Sequence, residues 1–141
     1  MAVSTRPNGT ATGLRILVVE DFKDEADSMA MWLRMHGHEV QLALDGPAAL
    51  DAARVDQPDV VLLDLGLPGS LDGWEVANLI RQSSEASGQR RPLLVAVTRH
   101  GTDGDRRRSE QAGIDLHLLK PADARQLQHL LNRFRAIIAD G

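Results

Sequence analysis

The 141-residue chain has no cysteine. Disulfide frameworks, thiolate nucleophiles and cysteine zinc sites are therefore excluded. No apolar run approaches the ~20 residues needed to cross a bilayer. The opening stretch, "MAVSTRPNGTATG", lacks the apolar centre of a secretory signal. A reducing, cytoplasmic setting with no membrane contact is the expectation. A net charge of −4 leaves no basic excess of the kind that accompanies nucleic-acid binding, so no direct nucleic-acid contact is expected. Lysine is scarce as well: Lys23 and Lys120 are the only two among sixteen basic residues, which makes each worth locating.

What is present suits one globular domain. Hydrophobic residues make up 43% and charged residues 26% of the chain, and roughly 100–200 residues suffice for a single core. Residues 1–13, rich in Ser, Thr, Asn, Gly and Pro, have almost nothing to bury and read as a disordered lead. Residues 14–141 read as the folded domain.

From residue 14 the pattern alternates. "LRILVVE" (14–20) is a short aliphatic run and predicts a strand. A helix follows over 23–36 and stops at Gly37, a plausible C-terminal cap. "HEVQLAL" (38–44) alternates apolar and polar residues, as a half-buried edge strand does. Asp45, Gly46 and Pro47 turn the chain into a short helix through Arg54. "DVVLLDL" (59–65) is apolar on both sides, the mark of a central parallel strand. A third helix is expected over 73–83, then a polar loop over 83–91. "PLLVAVT" (92–98) predicts the fourth strand and "DGDRRRSEQAG" (103–113) a polar fourth helix. "IDLHLLK" (114–120) predicts the fifth strand. In the last helix Leu127, Leu130, Leu131, Phe134, Ile137 and Ile138 form an amphipathic stripe.

Five strands alternating with five helices imply a parallel sheet with helices on both faces, an α/β three-layer sandwich joined by right-handed crossovers. Ligands in such sheets sit beyond the carboxyl ends of the strands. The residues that matter are then Glu20 and Asp21 after the first strand, Asp64 at the third, Thr98 at the fourth and Lys120 after the fifth. Taken singly, each has a plain explanation as a surface, turn or capping residue; together they mark one rim. Three crowded carboxylates resist joint ionisation, and a hard divalent cation relieves that repulsion. Mg²⁺ suits such a set, because it needs few carboxylates and keeps water that a phosphate can displace. An ionised carboxylate beside a bound phosphate is arranged for attack at phosphorus, which predicts an aspartyl phosphate on Asp64. The Lys120 ammonium and the Thr98 hydroxyl are placed to hold the remaining phosphoryl oxygens.

At this point the chain resembles a known family, the receiver domains of two-component response regulators. "ILVVEDFKDEA" resembles the family's acidic pair and "VVLLDLGLPGSLDGWEVA" its phosphoacceptor segment. "LLVAVT" is similar to the threonine strand and "GIDLHLLKPAD" to the lysine–proline segment. The resemblance spans about residues 14–139, in order and in spacing, and the "DLGLP" wording is similar to receivers of hybrid histidine kinases. It implies the flavodoxin-like (βα)5 fold with strand order 2-1-3-4-5. It also implies Mg²⁺ held by Glu20, Asp21, Asp64 and the Gly66 backbone carbonyl, with Asp21 the more direct ligand of the acidic pair. Asp64 is then the phosphoacceptor, Thr98 and Lys120 take the phosphoryl group, and Lys120–Pro121 is a cis peptide. The implied role is a signalling domain whose only chemistry is its own phosphorylation and dephosphorylation. A histidine kinase or histidine phosphotransfer domain is the implied donor. A downstream protein would read the face formed by the fourth helix, fifth strand and fifth helix, with the chain a monomer or a phosphorylation-dependent dimer.

Three departures from the family pattern stand out. Pro68 to Gly73 is one residue longer than usual, so "GSL" widens the loop after Asp64. His117 occupies the switch position three before the lysine, where many members carry Tyr or Phe; an exposed, swinging ring is the expectation, with pH sensitivity the alternative. The fourth helix has little apolar surface, with Glu110 where a core residue would be welcome, and is expected to be weakly anchored. Arg106–Arg108 read as a solvated face, Trp32 and Trp74 as helix-packing or partner-face residues, and His36, His38, His100 and His129 as surface or packing residues.

Rival readings fare less well. An aspartyl phosphohydrolase resembling the haloacid dehalogenases carries a second aspartate two residues after the nucleophile, where this chain has Gly66. A flavin- or nucleotide-binding domain wants a glycine- or hydroxyl-rich loop after the first strand, whereas "EDFKDEA" has the wrong sign for a bare phosphate. A degenerate receiver that binds partners without phosphorylation is the alternative the sequence leaves open.

Overall fold

In the computed structural model of the chain, residues 13–99, 103–121 and 123–140 are described. The lead expected over residues 1–13 lies, except for Gly13, outside them, as does His100. Five strands and five helices alternate: β1 (Arg15–Val19), α1 (Lys23–Met35), β2 (Glu39–Ala43), α2 (Gly46–Asp56), β3 (Val60–Asp64), α3 (Gly73–Ser87), β4 (Leu93–Thr98), α4 (Asp103–Ala112), β5 (Leu116–Leu119) and α5 (Ala124–Asp140). All strand pairs are parallel, in the order β2-β1-β3-β4-β5. This is the parallel sheet that the sequence pattern predicted, in the flavodoxin-like strand order that the family resemblance implied.

The period-2 alternation of the strands separates two cores. Leu17, Val19, Val61, Leu63, Leu94 and Ala96 face α2, α3 and α4, where Ala49, Val76, Ala77, Ile80 and Ala112 meet them. Ile16, Val18, Val60, Leu62, Val95 and Val97 face the other way, onto Ala30 and Leu33 of α1 and Leu127 and Leu131 of α5. Burying aliphatic side chains on both faces stabilises the sheet by about 1.5–3 kcal/mol per fully buried residue. Asp64 shares the parity of Val60 and Leu62, so the strand directs it toward the α1/α5 side at the point where the sheet ends.

Some expected boundaries move. The third helix runs four residues past Ser83: Ser84 is buried on its packed face, with its hydroxyl satisfied by donating to the Ile80 carbonyl at 3.1 Å. Gly88, in the left-handed region at φ 72°, then ends it. The second helix runs to Asp56, opened by Asp45, whose side chain accepts from Ala48 N–H at 2.8 Å. The stripe on α5 is only partly buried: Leu127 and Leu131 are in the core, while Ile137 is 67% exposed. Glu110 is exposed rather than set in a core position, which falls instead to Ser109 and Ala112.

Gly73 shows why α3 begins where it does. A Cβ there would stand 2.6 Å from Leu65 Cα and 2.7 Å from the Asp64 carbonyl oxygen, so only glycine lets the helix press against the end of β3. Asp72 caps the helix and forms a capping box with Glu75. The extra residue of "GSL" is thus accommodated ahead of a firmly placed helix start. Gly69, at φ 95°, supplies the left-handed turn within that loop.

Candidate functional site

Each residue expected at the rim lies where a strand ends. Glu20 and Asp21 follow β1, Asp64 closes β3, Thr98 closes β4 and Lys120 follows β5. The sheet order brings β1, β3, β4 and β5 side by side, so residues scattered over a hundred positions become neighbours. Oxygens of Glu20, Asp21 and Asp64 lie within 4.8 Å of one another. Lys120 Nζ donates to Glu20 Oε2 at 2.8 Å, to Glu25 Oε2 at 3.0 Å and to Asp64 Oδ2 at 3.3 Å. The Thr98 carbonyl accepts from Lys120 N–H at 2.7 Å and fixes the start of the lysine–proline segment. Thr98 is itself buried, and the Lys120–Pro121 peptide is cis, as expected.

The local backbone orients the acids. Glu20 Oε1 accepts from Phe22 N–H at 3.1 Å, and Asp64 Oδ1 accepts from Gly66 N–H at 2.9 Å. Each bond closes a tight turn two residues long, the habit of an acidic side chain at a strand exit. The Gly66 amide therefore braces Asp64. Asp21 is exposed, whereas Glu20 is buried.

Charge and burial compete here. Burial raises the Glu20 pKa, and the Asp64 charge adds to the rise; the bonds from Lys120 and Phe22 N–H oppose it without cancelling it. Desolvation works against the Lys120 ammonium too, but hydrogen bonds to Glu20 and Glu25 and the charge of Asp64 outweigh it and hold this lysine above its ordinary value. The lysine is a resident counter-ion for the acidic group. Three oxygen donors crowded on one rim, with one carboxyl already resisting ionisation, form a donor set that fits a hard cation such as Mg²⁺.

Two participants were missing from the sequence reading. Glu25, in the first turn of α1, joins Lys120, and its second oxygen accepts from Arg99 at 3.1 Å. The available signal was a carboxylate in the first turn of the helix that follows the acidic pair. A cavity of about 670 Å³ continues from this cluster between α1 and α5, walled by residues that include Val18, Leu62, Val97, Met29, Trp32 and Leu127.

The switch-position residue departs from expectation. His117, on β5, is half-buried rather than exposed, and neither ring nitrogen has a hydrogen-bond partner among the described residues. Burial lowers its pKa, the Arg106 charge lowers it further, and Asp105 opposes both. The fourth helix is likewise better anchored than its composition suggests. Trp74 Nε1–H donates to Ser109 Oγ at 2.9 Å, and Arg108 lies 4.2 Å over the Trp74 ring while pairing with Asp72 at 2.7 Å. Arg108 is thus no mere solvated charge, and Trp74 is a packing residue. Trp32 is half-buried beside the α1/α5 core. His38 is buried, accepting Leu14 N–H at Nδ1, while His36 and His129 are exposed.

A doubly wound sheet that gathers three carboxylates and a lysine beyond its strand ends defines a class, flavodoxin-like domains with an acidic, lysine-bearing rim. The family model for the response regulator receiver domain matches residues 16–132, and the chain belongs to that family. The response regulator MprA of Mycolicibacterium vanbaalenii is 38% identical over 125 residues, covering 89% of this chain and 50% of the relative. The chain spans about half the length of the curated relatives it matches. Among solved structures, the receiver domain of the sensor histidine kinase PA1611 from Pseudomonas aeruginosa is 32% identical, with a TM-score of 0.74. The match covers 88% of this chain and 98% of that one, which carries a magnesium ion coordinated in its active-site cleft. The receiver domain of Ssk1 from Saccharomyces cerevisiae, crystallised with the histidine phosphotransfer protein Ypd1, is 25% identical with a TM-score of 0.83, covering 91% of this chain and 92% of that one. The chain is a receiver domain of the response-regulator type, a signalling module. Among the described residues no helix is long and apolar enough to cross a membrane.

Proposed function

We propose that the chain accepts a phosphoryl group from a phosphohistidine onto Asp64. An Asp64 carboxylate oxygen attacks phosphorus, the phosphorus–nitrogen bond breaks, and its electron pair leaves on the donor imidazole. The observation that carries this reading is the placement of Asp64. It ends the central strand with one oxygen braced by Gly66 N–H and the other facing the Lys120 ammonium at 3.3 Å. Glu20, Asp21, Asp64 and the Gly66 carbonyl are assigned to Mg²⁺, in keeping with the donor set and with the magnesium-bound relative. Bound there, the ion supplies positive charge to the carboxylates and to the arriving phosphoryl oxygens. Lys120 steadies the developing charge, the Thr98 hydroxyl takes a further phosphoryl oxygen, and His117 responds at the switch position.

The partners follow from the same reading. The donor is a histidine kinase or histidine phosphotransfer domain, in line with the Ypd1-bound relative. Phosphorylation adds about −1.5 to −2 charges, and this alters the α4–β5–α5 face for a downstream protein or a second copy of the chain. The reading assigns residues 14–141 to the receiver unit and places it in the cytoplasm with its donor.

The test is incubation with Mg²⁺ and acetyl phosphate, followed by intact mass. Wild type is expected to gain one phosphate, and Asp64→Asn, or wild type stripped of Mg²⁺, none. A wild-type chain that neither gains mass nor responds to beryllium fluoride is a phosphorylation-independent binding module instead.

A further inference from the structure

Glu25 touches both cations of the site. Its Oε2 accepts from Lys120 Nζ at 3.0 Å and its Oε1 from Arg99 at 3.1 Å. One carboxylate on the first turn of α1 thus ties the residue after β4 to the residue after β5. Lys120 sits nearer to Glu20 and Glu25 than to Asp64, at 2.8 and 3.0 against 3.3 Å. We propose that Glu25 is a positioning residue: it restrains Lys120 in the unphosphorylated site and competes for its ammonium with a phosphoryl group on Asp64.

This inference rests on Asp64 being the phosphoacceptor. An ammonium has three donors, and in this site they are spread over three carboxylates. Once Asp64 carries the phosphoryl group it is no longer a carboxylate, so Glu20 and Glu25 still hold the ammonium. Lys120 turns fully to the phosphoryl oxygens only when one of those two gives its donor up. Glu25 is the carboxylate released at least cost. Its side chain is 39% exposed against 9% for Glu20 and 13% for Asp64, so water replaces the lost bond. Arg99 remains to balance the freed charge. Glu25 also stands outside the three-carboxylate group, so a cation held there leaves its negative charge undiminished. The arrangement holds Lys120 back until a phosphoryl group outbids Glu25 for it.

The direction of the effect makes the test specific. Glu25→Gln keeps the size of the side chain and removes its charge. It is expected to tighten beryllium fluoride binding and speed adduct formation from acetyl phosphate by roughly two- to fivefold, the range of one partly exposed ion pair. Glu25→Ala should move the same way, and Glu25→Asp should return toward wild type. Arg99→Ala should act in the opposite sense, leaving Glu25 to Lys120 alone, and that effect should vanish in the Glu25→Gln background. The inference is overturned if Glu25→Gln binds the mimic as wild type does or more weakly, or if Arg99→Ala acts equally in both backgrounds. A change in thermal midpoint alone would assign Glu25 to helix stability and overturn it too. A wild-type chain that forms no adduct removes the Asp64 reading itself, and this inference with it; an adduct indifferent to Glu25 removes only the inference.

Discussion

Lys120 Nζ lies 2.8 Å from Glu20 Oε2, although a hundred residues separate them in the chain. The contact joins the exit of β1 to the exit of β5 across the sheet, in a setting where both groups are largely withdrawn from water. Lys120→Met leaves the acidic group without its counter-ion. The expected loss is about 1–3 kcal/mol near neutral pH, below the ~3–5 kcal/mol of a fully buried pair because the rim stays wetted. The pH dependence follows from linkage. Glu20, with its pKa raised by burial, favours the folded state when protonated, and that contribution is lost as pH rises through its folded value. Lys120, also raised, contributes fully below the ordinary lysine value and loses that contribution as pH rises through its higher folded value. Without the lysine, Glu20 moves further up. The gap between variant and wild type should therefore shrink as pH falls into the carboxylate range. Urea unfolding of both proteins at about pH 7.5 and about pH 4.5 reads it; a gap that widens in acid contradicts the assignment.

His117 presents the opposite sign. Its ring is half-buried, with both nitrogens unpartnered among the described residues, and burial depresses its pKa. Stability from this group is intact above the ordinary histidine value and is lost as pH falls from there through the lower folded value. His117→Phe removes the enclosed polar atoms and should stabilise the fold by roughly 0.5–1.5 kcal/mol at neutral pH, with a larger margin in mild acid. Chemical denaturation at the two pH values distinguishes this from a ring whose nitrogens are solvated, for which the substitution would be neutral or harmful.

Arg108 holds α4 to the start of α3 through Asp72 and the face of Trp74. Both contacts are partly exposed, so Arg108→Ala should cost only about 0.5–1 kcal/mol. The loss should be local. Amide hydrogen exchange is expected to quicken across α4 and the first turn of α3 while the central strands keep their protection. Unchanged exchange in α4 would mean that Ser109 and Ala112 anchor the helix without Arg108.

Much of this molecule is visible in one dimension. The aliphatic runs announced the strands, because a residue buried on both faces leaves no polar positions to alternate. Asp64, Thr98 and Lys120 stood out because each follows or closes such a run. Helix ends were less legible: Ser84 is buried on the packed face of α3 with its hydroxyl satisfied by the Ile80 carbonyl, so packing keeps a serine-rich segment helical where composition reads as loop. Glu110 is exposed and Ser109 buried on α4 because only the packing against Trp74 decides which face of a polar helix turns inward.

The sequence by itself determined the order of elements, the parallel sheet and the set of acids, threonine and lysine at its carboxyl rim, since these depend on local pattern and on the geometry of crossovers. Which of those groups touch was decided by tertiary structure alone. The sharing of Lys120 among Glu20, Glu25 and Asp64, the tie from Glu25 to Arg99 and the enclosure of His117 depend on side-chain placement across neighbouring strands and helices. Their physical cause is competition for one ammonium and for limited space at the rim. That competition exists only once the strands stand side by side.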